Sequence, residues 1–167
     1  DICQQLQQRH RTAHILVDQS NVDMQERYAQ VGHVMTGNLY TLKGFLSINA
    51  VAKEVKEKGI NTIICHSGKY ILFCIALKHL TGAKLVFIKH NLVAGKTDLY
   101  HRWINEQVDA FVCVSKLVYD DLMTPAIKDA SKYYIVYNGI NPKRFLSFAE
   151  GVPMKDKVTT FGYCARI

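Results

Sequence analysis

Four apolar runs in this 167-residue chain end in residues that carry hydrogen-bonding or acid–base chemistry. INTIIC (60–65) is followed by His66-Ser67-Gly68-Lys69, and KLVFIK (84–89) by His90-Asn91. FVCV (111–114) leads to Ser115-Lys116, and YYIVY (133–137) to Asn138-Gly139. An imidazole can hold or move a proton near neutral pH. Serine and asparagine both donate and accept, and glycine lets backbone approach a ligand closely. Taken singly, each has a structural explanation. Ser67 and Ser115 suit helix N-caps, and a histidine at a strand end can be a structural hydrogen-bonder. Gathered on one rim, His66, His90 and Asn138 form a candidate site. The other histidines, His10, His14, His33, His79 and His101, lack such a setting and receive no functional assignment.

The elements that must hold this rim follow from the periodicity. The runs 60–66, 84–91, 111–115 and 133–138 read as strands, AHILV (13–17) is a short apolar run, and HVMTG (33–37) offers a further strand. Between them lie FLSINAVAKEVKEKG (45–59), KYILFCIALKHLTG (69–82) and residues 96–109, all helical in pattern. Gly59 and Gly82 supply the stops of the first two. KLVYDDLMTPAIKDA (116–130) holds a helix broken near Pro125, while residues 22–44 give no clear pattern and Leu42-Lys43-Gly44 suggests a turn. Strands that are apolar on both faces, alternating with helices, predict a parallel sheet between helical layers. The expected fold is therefore α/β: a doubly wound, Rossmann-like, mostly parallel sheet with helices on both faces. Such sheets bind ligands at the carboxyl ends of their strands, which is where the four polar clusters fall.

Asn138-Gly139 alone would signal a hairpin. Pro142 opposes that, because it cannot donate to a ladder in a following strand. The pair is expected to turn the chain at the rim, with Gly139 free to take positive φ. Whether the two residues meet a ligand or only shape the rim stays open at this level.

Composition narrows the class. Apolar residues make up 49% of the chain and charged ones 21%, with a formal charge of +7. No run approaches the roughly 20 apolar residues of a membrane span, and the polar opening DICQQLQQRH is unlike a signal peptide. The five cysteines are scattered singly without zinc-ligand spacing, so a reducing, cytoplasmic home is expected. The positive charge suits an anionic partner such as a nucleotide, a phosphate or an acidic membrane surface. Phosphate-loop and serine-hydrolase signatures are absent, no carboxylate pair sits at the strand ends, and basic residues do not interleave with aromatics as on a nucleic-acid surface.

The four clusters, in this order, resemble the N-terminal domain of retaining glycosyltransferases of family 4, which have the two-domain GT-B fold. IICHSG is similar to that family's strand ending in His, and KLVFIKHN to its "v-x-T-x-H" strand. VDAFVCVSKLVYDDL resembles "aD-x-v-x-x-vS-x-x-x-x-x-x-L", and YYIVYNGINPKRF resembles "k-i-x-v-i-x-N-G-(I/V)-D-x-x-x-F". FGYCARI is similar to the first strand of the C-terminal domain, usually ending "vGRL". Asn141 stands where the pattern has Asp, and Ala165 where it has Gly.

The resemblance implies metal-independent transfer of a sugar from a nucleotide-sugar donor to an acceptor. It implies His90 as the catalytic group against the transferred sugar and Arg166 as the contact to the donor diphosphate. Asn138 and Gly139 are carried as donor-side residues, and His66, Asn91, Lys96 and Arg102 as acceptor-side groups. Residues 1–145 would form the acceptor-side domain without its first strand and glycine-rich loop. Residues 146–167 would form a connector and the first strand of a truncated C-terminal domain, so the fragment is expected to be inactive alone. The acceptor would be a sugar, a lipid-linked molecule or a small molecule, with peripheral contact to the inner membrane surface, and no nucleic acid is expected. The alternatives are a GT-B-fold epimerase or phosphorylase, or a non-catalytic Rossmann-like binding module.

Overall fold

The computed structural model describes residues 6, 8–10, 12–39, 42–92, 96–123, 127 and 129–139. Six strands and five α-helices alternate along them. In chain order they are β1 (His14–Asp18), α1 (Val22–Ala29), β2 (His33–Gly37), α2 (Leu42–Glu57), β3 (Thr62–Cys65), α3 (Ile71–Thr81) and β4 (Lys84–Lys89). Then follow α4 (Leu99–Gln107), β5 (Ala110–Cys113), α5 (Lys116–Leu122) and β6 (Tyr133–Ile135). The chain divides into two units, Asp1–Tyr137 and Asn138–Ile167, and every one of these elements belongs to the first. The expected connector and strand over 146–167 lie outside the described residues.

All strand pairings are parallel, as the doubly apolar runs require. β3, β4, β5 and β6 pair in sequential order, and β1 pairs with β2 in a separate sheet. The fold is α/β, Rossmann-like and doubly wound. In the larger sheet the register aligns Cys65 with Phe87, Phe87 with Phe111 and Phe111 with Tyr133, so these side chains share one face. Phe111 stacks on Tyr133 at 4.5 Å and lies 6.1 Å from Phe87. Ile71, Cys74 and Ile75 of α3 and Ile104 of α4 complete this core. Leu85, Val108 and Phe111 are fully buried, each worth about 1.5–3 kcal/mol in area removed from water.

A second cluster joins the two sheets. Val51, Ala52 and Val55 of α2 and Phe73 and Leu77 of α3 pack with Met35, while Leu16 of β1 and Ile63 of β3 both lie against them. Yet β1 and β3 share no ladder. Ile64, in the middle of β3, stays 46% exposed. The two ladders are thus separate and share one helical layer.

The helix boundaries have local causes. Asn21 caps α1 by accepting from the Met24 N–H at 3.2 Å. Gly82 ends α3 in the left-handed region at φ 75°, as its sequence position predicts. The expected turn at Leu42-Lys43-Gly44 is instead the first turn of α2. Gly44 serves there by its size, since an added Cβ would overlap the Asn38 carbonyl oxygen. The helix after β3 starts with a 3-10 turn, Gly68–Tyr70, capped by Ser67 through the Lys69 N–H.

Candidate functional site

Adjacency of β3 and β4 brings together the histidines that follow them. His66 Nδ1 lies 3.1 Å from His90 Nε2, with ring centroids 5.4 Å apart and planes inclined by 18°. Both rings are exposed at the carboxyl edge of the sheet. Of the two nitrogens that face each other, one must donate and the other accept. Protonating both rings would lose that bond and set two cations side by side. Desolvation of the part of its ring set into the rim, and next to it the neighbouring His90, hold the His66 imidazole below its ordinary value of 6.5. A pair of this kind can present one acceptor or one proton to a bound molecule and exchange the two roles.

The shift has a consequence for stability with a definite sign. A base whose folded pKa is depressed takes up its proton more readily when unfolded, so acid favours unfolding. Burial, then His33 and Lys58, lower His14 in the same direction, against an opposing contribution from Glu54. The melting midpoint is expected to be flat above pH 6.5 as far as these groups are concerned, and to fall as pH drops below it. Replacing His66 by Asn should remove part of that fall; a thermal-melt series across pH checks it, and an identical slope in the variant would refute it.

The other expected site residues are placed unequally. Asn91 and Lys96 are exposed on the segment between β4 and α4. Arg102 lines a small cleft with Asn105, Glu106, Ile127, Asp129, Lys132 and Tyr133. Tyr133 opens β6, so this cleft lies at the edge opposite to His90, and the structure does not bring Arg102 to the histidine pair. Asn138 and Gly139 are exposed. Gly139 does not use its freedom to take positive φ, which among the described glycines only Gly59 and Gly82 adopt. An added Cβ there would meet nothing within 4 Å, so packing within the described residues does not require a glycine. Arg166 lies outside the described residues.

Two motif residues have structural work. Ser115 caps α5, accepting from the Val118 N–H at 3.2 Å. Asp109 accepts from the Leu85 N–H at 2.8 Å and pairs with Lys78 Nζ at 2.7 Å, tying α3 and β4 to the start of β5. Burial would raise its carboxyl, but these partners hold it below the usual carboxylate range.

Two further residues at the rim were not singled out from sequence. Asp18, at the end of β1, is 5% exposed and the one buried charged residue among those described. Its carboxylate accepts from the Leu39 N–H at 2.8 Å and from both the N–H and the hydroxyl of Ser20. Lys89, one residue before His90, places its amine 4.4 Å from the centroid of the Phe87 ring, and burial pushes its pKa down against Cys113 and Cys65. The signal for both was a charge at the end of an apolar run, where burial demands a partner. Among the described residues, no three His, Cys, Asp or Glu side chains converge to hold a metal. Nor is any described helix long and apolar enough to cross a membrane.

Fold and site together define a class: a Rossmann-like α/β domain that gathers acid–base and hydrogen-bonding side chains at the edge where such sheets meet their ligands. The model of glycosyltransferase family 4 matches residues 1–144. The chain belongs to that family. A search of curated proteins finds no match to it.

Proposed function

We propose that this chain is the acceptor-side domain of a retaining enzyme that moves a sugar from a nucleotide-sugar donor to an acceptor without a metal. The observation that carries the reading is the His66–His90 pair, built on neighbouring strand ends of a chain matched by a glycosyltransferase family. His90 meets the positive charge that develops on the sugar as the donor bond stretches, and His66 fixes its tautomer. Preorganised groups of this kind act on the transition state more than on the ground state. Asn91 and Lys96 are acceptor-side groups; Arg166, with Asn138 and Gly139, serves the donor. A guanidinium suits a diphosphate because it pairs with two oxygens at once. The site works in the cytoplasm.

The separation of the β1–β2 ladder from the β3–β6 ladder supports a domain arrangement in which one further parallel strand joins them, at the point where the winding reverses. Its loop and a C-terminal nucleotide domain would complete the cleft, so residues 1–167 alone do not transfer sugar. The test is donor consumption by the 167-residue chain and by the complete enzyme, each with and without a chelator. Turnover only in the complete enzyme, unaffected by chelation, is expected. Transfer by the 167-residue chain, or loss of turnover on chelation, would overturn the corresponding part.

A further inference from the structure

Beneath the rim two thiols meet that the sugar-transfer reading does not use. Cys65 closes β3, one residue before His66, and Cys74 lies in the first turn of α3. Both belong to one buried cluster, at 3% and 8% exposure. Cys74 donates a side-chain hydrogen bond to the Cys65 sulfur, and the Cys65 thiol donates to the Ser67 carbonyl at 3.2 Å.

The two sulfurs are tuned in opposite directions. The Cys74 hydrogen bond and then, against the effect of burial, the Ser67 backbone and the Lys89 amine hold Cys65 below the ordinary thiol value. The bond to Cys65, together with burial, pushes Cys74 up. Lys89 reaches this place through the sheet register. Phe87 aligns with Cys65, and Lys89, two residues further along β4, lies on the same face, with its amine over the Phe87 ring. Cys113, the other thiol that bears on Lys89, is fully buried, and burial pushes its pKa up.

We propose that Cys65 and Cys74 form a redox pair that a small peroxide converts to a disulfide. With hydrogen peroxide, the Cys65 thiolate attacks one oxygen, the O–O bond breaks, and the other oxygen takes up a proton and leaves as water. Cys65 is then a sulfenic acid. The Cys74 sulfur attacks the Cys65 sulfur, the S–S bond forms as the S–O bond breaks, and the hydroxyl leaves with the Cys74 proton as a second water. Two thiols are oxidised and one peroxide is reduced to two waters. Burial favours an oxidant of that size over a bulky disulfide. In a reducing compartment the pair rests as a dithiol and oxidises transiently. The disulfide closes residues 65–74 into a covalent loop that carries His66 and the Ser67 cap, so oxidation acts on the rim. The thiol chemistry goes beyond the transfer reading and does not depend on it.

The complete protein, treated with hydrogen peroxide, alkylated after denaturation and digested, should yield two peptides joined through Cys65 and Cys74. Their mass should be two hydrogens below that of the separate peptides, and dithiothreitol should restore it. Cys113 should still be alkylated. In Cys74→Ala, Cys65 should stop at the sulfenic acid and be trapped by dimedone; the wild-type peptide map carries the test by itself if that variant does not fold. Full alkylation of both Cys65 and Cys74 after peroxide would overturn the proposal. So would oxidation that falls equally on Cys113, or a link from Cys65 to any other cysteine.

Discussion

Alanine at His90 is expected to lower sugar transfer by the complete enzyme by about a hundredfold or more, the usual scale for removing one preorganised group from a transition state. His90 is exposed, so the loss should come without a change in melting midpoint. His66→Asn should give a smaller loss, because an amide can still hydrogen-bond to the His90 ring but cannot take up its proton. The two substitutions should not be additive, since both act on the same 3.1 Å contact. Steady-state transfer rates of the single and double variants measure this. Full activity of His90→Ala would remove the pair from the mechanism.

The largest effect on stability is expected at Asp18. Alanine there leaves the N–H groups of Leu39 and Ser20 without their carboxylate, at a cost of about 3 kcal/mol and roughly 6–12 °C in melting midpoint for a chain of this size. Burial alone would raise this carboxyl; the Ser20 and Leu39 hydrogen bonds outweigh it and hold the pKa below 3.8. An acid with a depressed folded pKa stabilises the fold above its unfolded value and loses that contribution as pH falls through the folded one. Part of the acid unfolding near and below pH 3.8 should therefore vanish in the alanine variant. Asp18→Asn keeps an acceptor for one donor and should cost less. A midpoint unchanged in Asp18→Ala would show that the three hydrogen bonds carry little weight.

The four strands of the larger sheet were legible because a parallel strand under helical layers is a short apolar run, and the longer run YILFCIAL (70–77) was set apart as a helix closing on Gly82. Their ends were less so. The run 133–138 reads as a six-residue strand, but β6 closes at Ile135 because β5, its one partner among the described residues, ends at Cys113. Residues 22–44 conceal α1, whose eight residues bury no side chain and so leave no apolar stripe. Gly44 misled in the opposite sense: read as a chain-turning residue, it is needed for close approach to Asn38 inside a helix. The separation of β1–β2 from the other four strands could not be read, since alternation gives the order of elements and not their partners.

The site was legible to the same depth. Sequential strands place His66 beside His90, and the cap potential of Ser67 and Ser115 is realised. Arg102 illustrates the limit. The family resemblance offered it as an acceptor-side group, and its side chain on α4 lines the cleft beside Lys132 and Tyr133, a direction that no residue pattern carries. Asp18 and Lys89 were missed because their significance lies in burial, which a one-dimensional pattern shows only as a charge at the wrong end of an apolar run.

If this domain serves a sugar transfer with retention, the anomeric configuration of the first-formed product will report it. The complete enzyme, incubated with a nucleotide-sugar donor and its acceptor, should be followed by proton NMR from the earliest turnover. A product whose anomeric proton shows the same configuration as the donor, formed with a chelator present, is expected. An inverted product, or an epimerised donor with no transfer, would contradict it.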